Sequence, residues 1–297
     1  MIGFNLNKVK RHFLEVLGEG FPQREAEQLM RILLEDLFGI DRKTELMNPS
    51  LRITEEQEAM LSKSVKELLN GRPVQYVTGK TWFDGLLFEV DESVLIPRPE
   101  TEEMVWLVAE ELPVDKPFRI WDVGTGSGCI AIALAHRFPK AEVKAYDISE
   151  RALTKASRNA YINKVDVQFI CDDVLHPQPE FWQYTVDLVV SNPPYIRESE
   201  KTNMERNVLD HEPSRALFVP DDDPLLFYRQ ILSMAKPLLN SDGMVWFEIN
   251  EAMGEEMILL AQDMGFEALI IKDFFGKPRY LKAFLEINPL SVNKLTT

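Results

Sequence analysis

Phe118-Arg119-Ile120-Trp121-Asp122-Val123-Gly124-Thr125-Gly126-Ser127-Gly128-Cys129-Ile130-Ala131-Ile132-Ala133-Leu134-Ala135 is the stretch that decides the fold. Its first six residues read as a buried strand, the alternating glycines as a tight turn, and the apolar run after them as a buried helix. Glycines let backbone approach a ligand closely, and the first turn of the helix offers unsatisfied N–H groups to a negative group. The dinucleotide fingerprint would place its third glycine at position 129, where this chain has Cys129. The tighter spacing here suits a carboxylate rather than a pyrophosphate.

The alternation continues downstream. Strands are expected at 118–123, 142–147, 166–171, 186–191, 244–250, 267–272 and 280–286, and helices at 128–138, 150–162, 224–239 and 252–264. That order argues for an α/β domain built on a largely parallel sheet, whose ligands bind at the C-terminal ends of the strands. Asp147 closes the second strand, where a carboxylate can accept hydrogen bonds from both hydroxyls of a ribose. Asp172 and Asp173 close the third, where a carboxylate can accept from an exocyclic adenine amine while Val174 covers the ring. The plainer readings are a helix-capping aspartate before Ser149 and a solvated acidic loop. Three successive strand ends thus offer groups for a carboxylate, a ribose and an adenine. S-adenosylmethionine carries all three, together with a transferable methyl.

The fourth strand ends in Asn192-Pro193-Pro194-Tyr195. Two prolines lack N–H donors and fix φ, so the strand must stop there, and Asn192 is biased away from the helical region. The product is a stiff loop presenting an amide and an aromatic ring. On an amide nitrogen, whose lone pair is delocalised into the carbonyl, acceptors aimed at its N–H groups bind the transition state more tightly than the ground state. The Asn192 side-chain oxygen and the Pro193 carbonyl are the expected acceptors, and Tyr195 is expected to stack on the planar amide. No general base is evident.

The first third reads as three amphipathic helices: one carrying Val9, Phe13, Leu14 and Leu17, one from Pro22 to Gly39, and one opening on the capping-box sequence Thr54 to Gln57. Val74–Gly79 and Leu87–Val90, separated by Asp84-Gly85, suggest a β-hairpin. Val94-Leu95-Ile96 reads as a strand stopped by Pro97-Arg98-Pro99, with Thr101 as cap of the next helix.

Composition narrows the partners. The net charge is −15; residues 1–72 hold 11 Lys and Arg against 12 Asp and Glu, the remainder 22 against 36. So acidic a body is a poor clamp for a phosphate backbone. No apolar run approaches the roughly 18 residues of a membrane span. The N-terminus has no signal-peptide core. Cys129 and Cys171 are expected as reduced core residues, and with the dispersed His12, His136, His176 and His211 they suggest no metal site. A cytoplasmic monomer is the expectation.

The loop 122–128 with Asp147 resembles the cofactor site of class I methyltransferases, and Asn192–Tyr195 resembles the catalytic motif of those that methylate planar nitrogens. Pro73-Val74-Gln75-Tyr76, Ile96-Pro97-Arg98-Pro99-Glu100-Thr101-Glu102, the glycine loop, Ser191–Ile196 and Glu212-Pro213 with Ala216-Leu217 occur in the order seen in the HemK/PrmC family. The match covers roughly residues 20–285, and Ile96–Glu102 is its most specific part. Phe247-Glu248-Ile249-Asn250 departs from the family's usual Glu-Ile-Gly.

The resemblance implies a protein-(glutamine-N5) methyltransferase acting on the Gly-Gly-Gln loop of peptide chain release factors and so tuning translation termination. It implies a Rossmann-like, mixed seven-stranded sheet with a helical substrate-binding domain at 1–72, a hairpin linker at 73–96 and the methyltransferase domain at 97–297. Asp122, Gly124, Thr125, Gly126, Ser127, Gly128, Asp147, Asp173, Val174 and Asn192 would hold S-adenosylmethionine. Asn192, Pro193, Pro194 and Tyr195 would hold the glutamine, with Asn192, Pro193 and Tyr195 catalytic. The alternative is an N6-adenine or N2-guanine nucleic-acid methyltransferase, which shares the Asn-Pro-Pro-aromatic pattern. The acidic body and the lack of a basic recognition region argue against it.

Overall fold

Val9, Phe13 and Leu17 of helix α1 (Leu6–Leu17), Ala26, Met30, Leu33 and Leu34 of α2 (Gln23–Phe38), and Leu61, Val65 and Leu68 of α4 (Glu55–Leu69) close on one another as a single apolar core. The short α3 (Arg42–Met47) lies between the last two in sequence. In this computed structural model, which describes residues 3–112 and 116–285, the chain divides into two compact units. The first is Met1–Lys80 with Glu205–His211, and the second Thr81–Met204 with Glu212–Thr297. Residues 286–297, which end the expected 97–297 domain and the expected strand 280–286, lie outside the described residues.

One expectation for the first unit is overturned. Val74–Thr78 is a helix, α5, not a hairpin strand. Pro73 precedes its first turn, and Gly79, at φ +72°, ends it in the left-handed conformation that glycine adopts without penalty. The hairpin exists one step later, Lys80–Phe83 pairing with Leu86–Glu89 across Asp84-Gly85.

The second unit is built on strands β1 (Arg119–Val123), β2 (Glu142–Asp147), β3 (Gln168–Cys171), β4 (Val186–Ser191), β5 (Leu239–Glu248), β6 (Phe266–Lys272) and β7 (Pro278–Leu285). Their order is β6-β7-β5-β4-β1-β2-β3. Strand β7 runs antiparallel to both its neighbours and the other pairings are parallel. This is the class I methyltransferase sheet.

Helices α6 (Pro99–Glu111), α7 (Cys129–Arg137) and α8 (Glu150–Asn163) contribute to one core, with Met104, Val108, Ile132 and Ala160 among its buried residues. Helices α9 (Leu226–Ala235) and α10 (Gly254–Asp263) contribute Tyr228, Leu232, Met257 and Ala261 to a second core. The expected helix 224–239 is therefore shorter, since Leu239 already belongs to β5.

Three smaller expectations also fail. Residues 94–98 form no strand, because Pro97 and Pro99 supply no ladder donors. Thr101 does not cap α6: Arg98 occupies the N-cap and Pro99 starts the helix. Cys171 is exposed, whereas Cys129 is buried. Strand order reverses between β1 and β4, so their C-terminal ends flank the crevice where such sheets bind ligands.

Candidate active site

The chain leaves β1 at Val123 and turns through the glycine loop onto α7. The Gly124 and Thr125 N–H groups both donate to the Tyr146 carbonyl, at 2.8 and 2.9 Å, which stitches the loop to the end of β2. Asp122 lies fully buried beneath this turn. One carboxylate oxygen, Oδ2, accepts from the Thr125 hydroxyl at 2.6 Å and from the Ala131 N–H at 3.1 Å. Its Oδ1 has no hydrogen-bond partner among the described residues. Burial, opposed by those two donors, pushes the Asp122 carboxyl up to about 7.

Asp147 ends β2. It accepts the Gly126 N–H at 2.8 Å on one oxygen and the Ser149 N–H at 2.9 Å on the other. Ser149 itself caps α8, its hydroxyl accepting from the Ala152 N–H. Desolvation raises the Asp147 carboxyl above the ordinary aspartate value, while those backbone donors and the charge of Arg215 pull it back.

At the end of β3 the paired aspartates separate. Asp172 turns inward to accept from the Trp182 indole N–H at 2.7 Å and from the Gln178 backbone. Asp173 accepts the Leu175 N–H at 3.0 Å and lies 2.9 Å from His176 Nδ1.

At the end of β4 the Ser191 hydroxyl donates to the Val123 carbonyl at 2.5 Å, binding the start of the Asn192–Tyr195 loop to the start of the glycine loop. Asn192 Nδ2 donates to the Thr101 hydroxyl at 3.0 Å. The Thr101 hydroxyl donates to Glu248 Oε2 at 2.6 Å, and the Tyr195 hydroxyl to Glu248 Oε1 at 3.0 Å. Burial pushes the Tyr195 phenol well up, reinforced by Glu248, and it also raises the Glu248 carboxyl. Across the opening, Arg98 pairs with Glu212 at 2.5 Å, a carboxylate whose side chain is 1% exposed.

These strand ends enclose a cavity of about 540 Å³, within the range of small-molecule sites. Gly124, Thr125, Gly126, Ser127, Asp147, Asp173, Val174, Asn192, Pro193 and Pro194 all line it. Three expected contacts do not. Asp122 shapes the loop from below. Gly128 is held against α8 instead: a Cβ there would meet Ile132 Cδ1 at 2.9 Å and the Ala156 Cβ at 3.0 Å, at φ +82°. Tyr195 is turned back onto Glu248 and is absent from the lining.

The residues fit S-adenosylmethionine. A Cβ at Gly126 would meet nothing within 4 Å, so the loop leaves room for a ligand against its backbone, and carboxylates stand at the β2 and β3 ends. Sequence reading missed Thr101 and Glu248, which lie 147 residues apart, and also Arg215, which lines the cavity. Nothing periodic or local links such pairs.

Family models match in two places: the PrmC N-terminal domain over residues 10–79 and the methyltransferase small domain over 104–215. The chain is 40% identical to a release factor glutamine methyltransferase of Flavobacterium psychrophilum over 93% of its length and 98% of that protein's. It is 40% identical to the enzyme of the same name from Bacteroides thetaiotaomicron, over 94% and 99%. Among solved structures it resembles the ribosomal protein L11 methylase of Lactobacillus delbrueckii subsp. bulgaricus, at 23% identity and a TM-score of 0.45, covering 64% of this chain and 79% of that one.

Proposed function

The chain belongs to the release factor glutamine methyltransferase family, and from that premise we propose how the residues around the cavity divide the work. It is an S-adenosylmethionine-dependent enzyme that methylates release factors. The acceptor is the side-chain N5 of the glutamine in the Gly-Gly-Gln loop, as the Ile96–Glu102 and Asn192–Tyr195 motifs imply.

S-adenosylmethionine supplies an electrophilic methyl: as the amide lone pair bonds to that carbon, the carbon–sulfur pair returns to sulfur and S-adenosylhomocysteine leaves. The nitrogen becomes positive and sheds one of its two protons to water, giving neutral N5-methylglutamine. Asn192 Oδ1 and the Pro193 carbonyl accept from the two N–H groups, and these become stronger donors as positive charge develops. The prolines hold that carbonyl in place, so little reorganisation accompanies the reaction. Asp147 accepts the ribose hydroxyls, Asp173 and Val174 hold the adenine, and the Gly124–Ser127 backbone faces the methionine carboxylate. Asp122 and Gly128 keep that loop in shape. Tyr195, anchored on Glu248, braces the Asn192-Pro193-Pro194 turn from outside the cavity lining.

The helical unit is assigned to grip the release factor, and the protein to act in the cytoplasm as a monomer without touching nucleic acid. The observation that carries this reading is the convergence on one cavity of the glycine loop, Asp147 and the Asn192-Pro193-Pro194 turn. Mass spectrometry of release factor incubated with enzyme and S-adenosylmethionine tests it. One added methylene on the Gly-Gly-Gln glutamine is expected, and methylated nucleic acid with unmodified release factor would sink it. Asn192→Ala is expected to abolish transfer while S-adenosylmethionine affinity stays within a few fold. Asp147→Ala is expected to lose that affinity instead.

A further inference from the structure

An asparagine amide is nearly symmetric in shape but opposite in polarity at its two ends. If Asn192 turned its NH₂ toward the substrate, donor would face donor and the proposed acceptor would be lost. Little steric cost opposes that flip, so hydrogen bonding behind the amide must prevent it. We propose that Thr101 and Glu248 are positioning residues that fix which end of the Asn192 amide faces the reacting nitrogen. The inference rests on the reading of Asn192 Oδ1 as an acceptor of substrate N–H.

The polarity runs in one direction. Thr101 is 3% exposed and Glu248 2% exposed, so water does not satisfy these groups at random. As a carboxylate, Glu248 only accepts. Its Oε2 takes the single Thr101 proton at 2.6 Å, and its Oε1 takes the Tyr195 proton at 3.0 Å. With its proton committed, the Thr101 oxygen has only lone pairs left, so the group it meets at 3.0 Å must be a donor, which is Asn192 Nδ2. Asn192 Oδ1, which makes no hydrogen bond among the described residues, is left for the substrate.

One carboxylate therefore sets both Asn192 and Tyr195. It does so from the end of β5, while Thr101 belongs to the first turn of α6. Burying a carboxyl at such a junction costs desolvation. Directing a reacting group is a function that an apolar residue of equal size could not supply there.

Steady-state methylation of release factor by four variants tests the relay, with S-adenosylmethionine binding measured alongside. Thr101→Val removes the hydroxyl at nearly constant volume, and Glu248→Gln gives the relay a donor where it had an acceptor. Each is expected to lower kcat about ten- to hundredfold, with S-adenosylmethionine Kd and release-factor KM within about twofold. Thr101→Ser, which keeps the hydroxyl, is expected to recover kcat to within about threefold of the wild type.

Wild-type kcat in Thr101→Val beside an inactive Asn192→Ala would overturn the relay and leave the assignment of Asn192 intact. An active Asn192→Ala would overturn both. Wild-type kcat in Glu248→Gln would show that the carboxylate does not set the direction, which also overturns the proposal. Parallel loss of kcat and cofactor binding, unrelieved by Thr101→Ser, would reduce Thr101 to a packing role. Should Thr101→Val fail to fold, the isosteric Glu248→Gln decides the matter alone.

Discussion

Asp122 shows at the residue scale how the shape of a cavity can depend on a group that does not line it. Its carboxyl is pushed up to about 7 chiefly by desolvation, with Asp147 adding like charge and Thr125 and Ala131 supplying opposing donors. In the unfolded chain the same group titrates near its ordinary value. Between roughly pH 4 and 7 the folded protein therefore holds a proton that the unfolded chain has released, and stability falls as pH rises through that window. At about 1.4 kcal/mol per unit, the loss amounts to at most about 4 kcal/mol. Asp122→Asn removes this titration while Oδ1 can still accept from Thr125 and Ala131. Denaturant melts without S-adenosylmethionine are expected to show the wild type losing stability relative to the variant from pH 4 to 7. Parallel pH profiles would mean that Asp122 ionises as freely as in the unfolded chain. Asp122, like Glu248, looks in sequence like any acidic residue at the end of a strand. Only the tertiary fold shows that one supports the loop from below and the other accepts from both Thr101 and Tyr195.

At the scale of elements, caps and breakers were the legible signals, and the failures came from weighing composition above them. Thr54 and Gln57 form the capping box that their spacing promised: the Thr54 hydroxyl accepts the Gln57 N–H at 3.1 Å, and the Gln57 side chain accepts the Thr54 N–H at 3.0 Å. Thr54→Ala is expected to cost about 1 kcal/mol of stability. Hydrogen exchange should place that loss in Glu55–Leu69 and its core partners, and unchanged exchange there would show the cap to be idle. Val74–Thr78, by contrast, is rich in β-branched and aromatic residues and reads as strand, yet Pro73 before it and Gly79 after it are helix punctuation. Thr101 has the chemistry of a cap, but Pro99 at the first helical position moves the cap back to Arg98 and frees the Thr101 hydroxyl for Glu248. The strands that carry the cavity were readable because each is an apolar run ended by a glycine, an aspartate or a proline, and those same terminators line it.

For the whole molecule, the decisive fact is that every residue lining the cavity belongs to the unit Thr81–Met204 with Glu212–Thr297. The helical unit has its own closed apolar core and contributes none of them. Sequence reading put the change from helical periodicity to alternating strands and helices between residues 72 and 97, whereas the units part after Lys80. It did not show that Glu205–His211 rejoins the first unit, because such a return depends on contacts far apart along the chain. Ligand linkage exposes the division in solution. A ligand that binds only the folded second unit stabilises it by about 2.7 kcal/mol at one hundred times its Kd. Opening reactions that leave the cavity intact gain nothing, since the ligand stays bound through them. With S-adenosylhomocysteine at that excess, amides of the glycine loop, the β2 end and the Asn192–Tyr195 loop are expected to exchange more slowly by roughly a hundredfold. Amides of Leu6–Leu17 and Gln23–Phe38 are expected to keep their rates. Equal slowing in both units would mean that they open only together, and slowing confined to the helices would place the ligand outside the cavity described above.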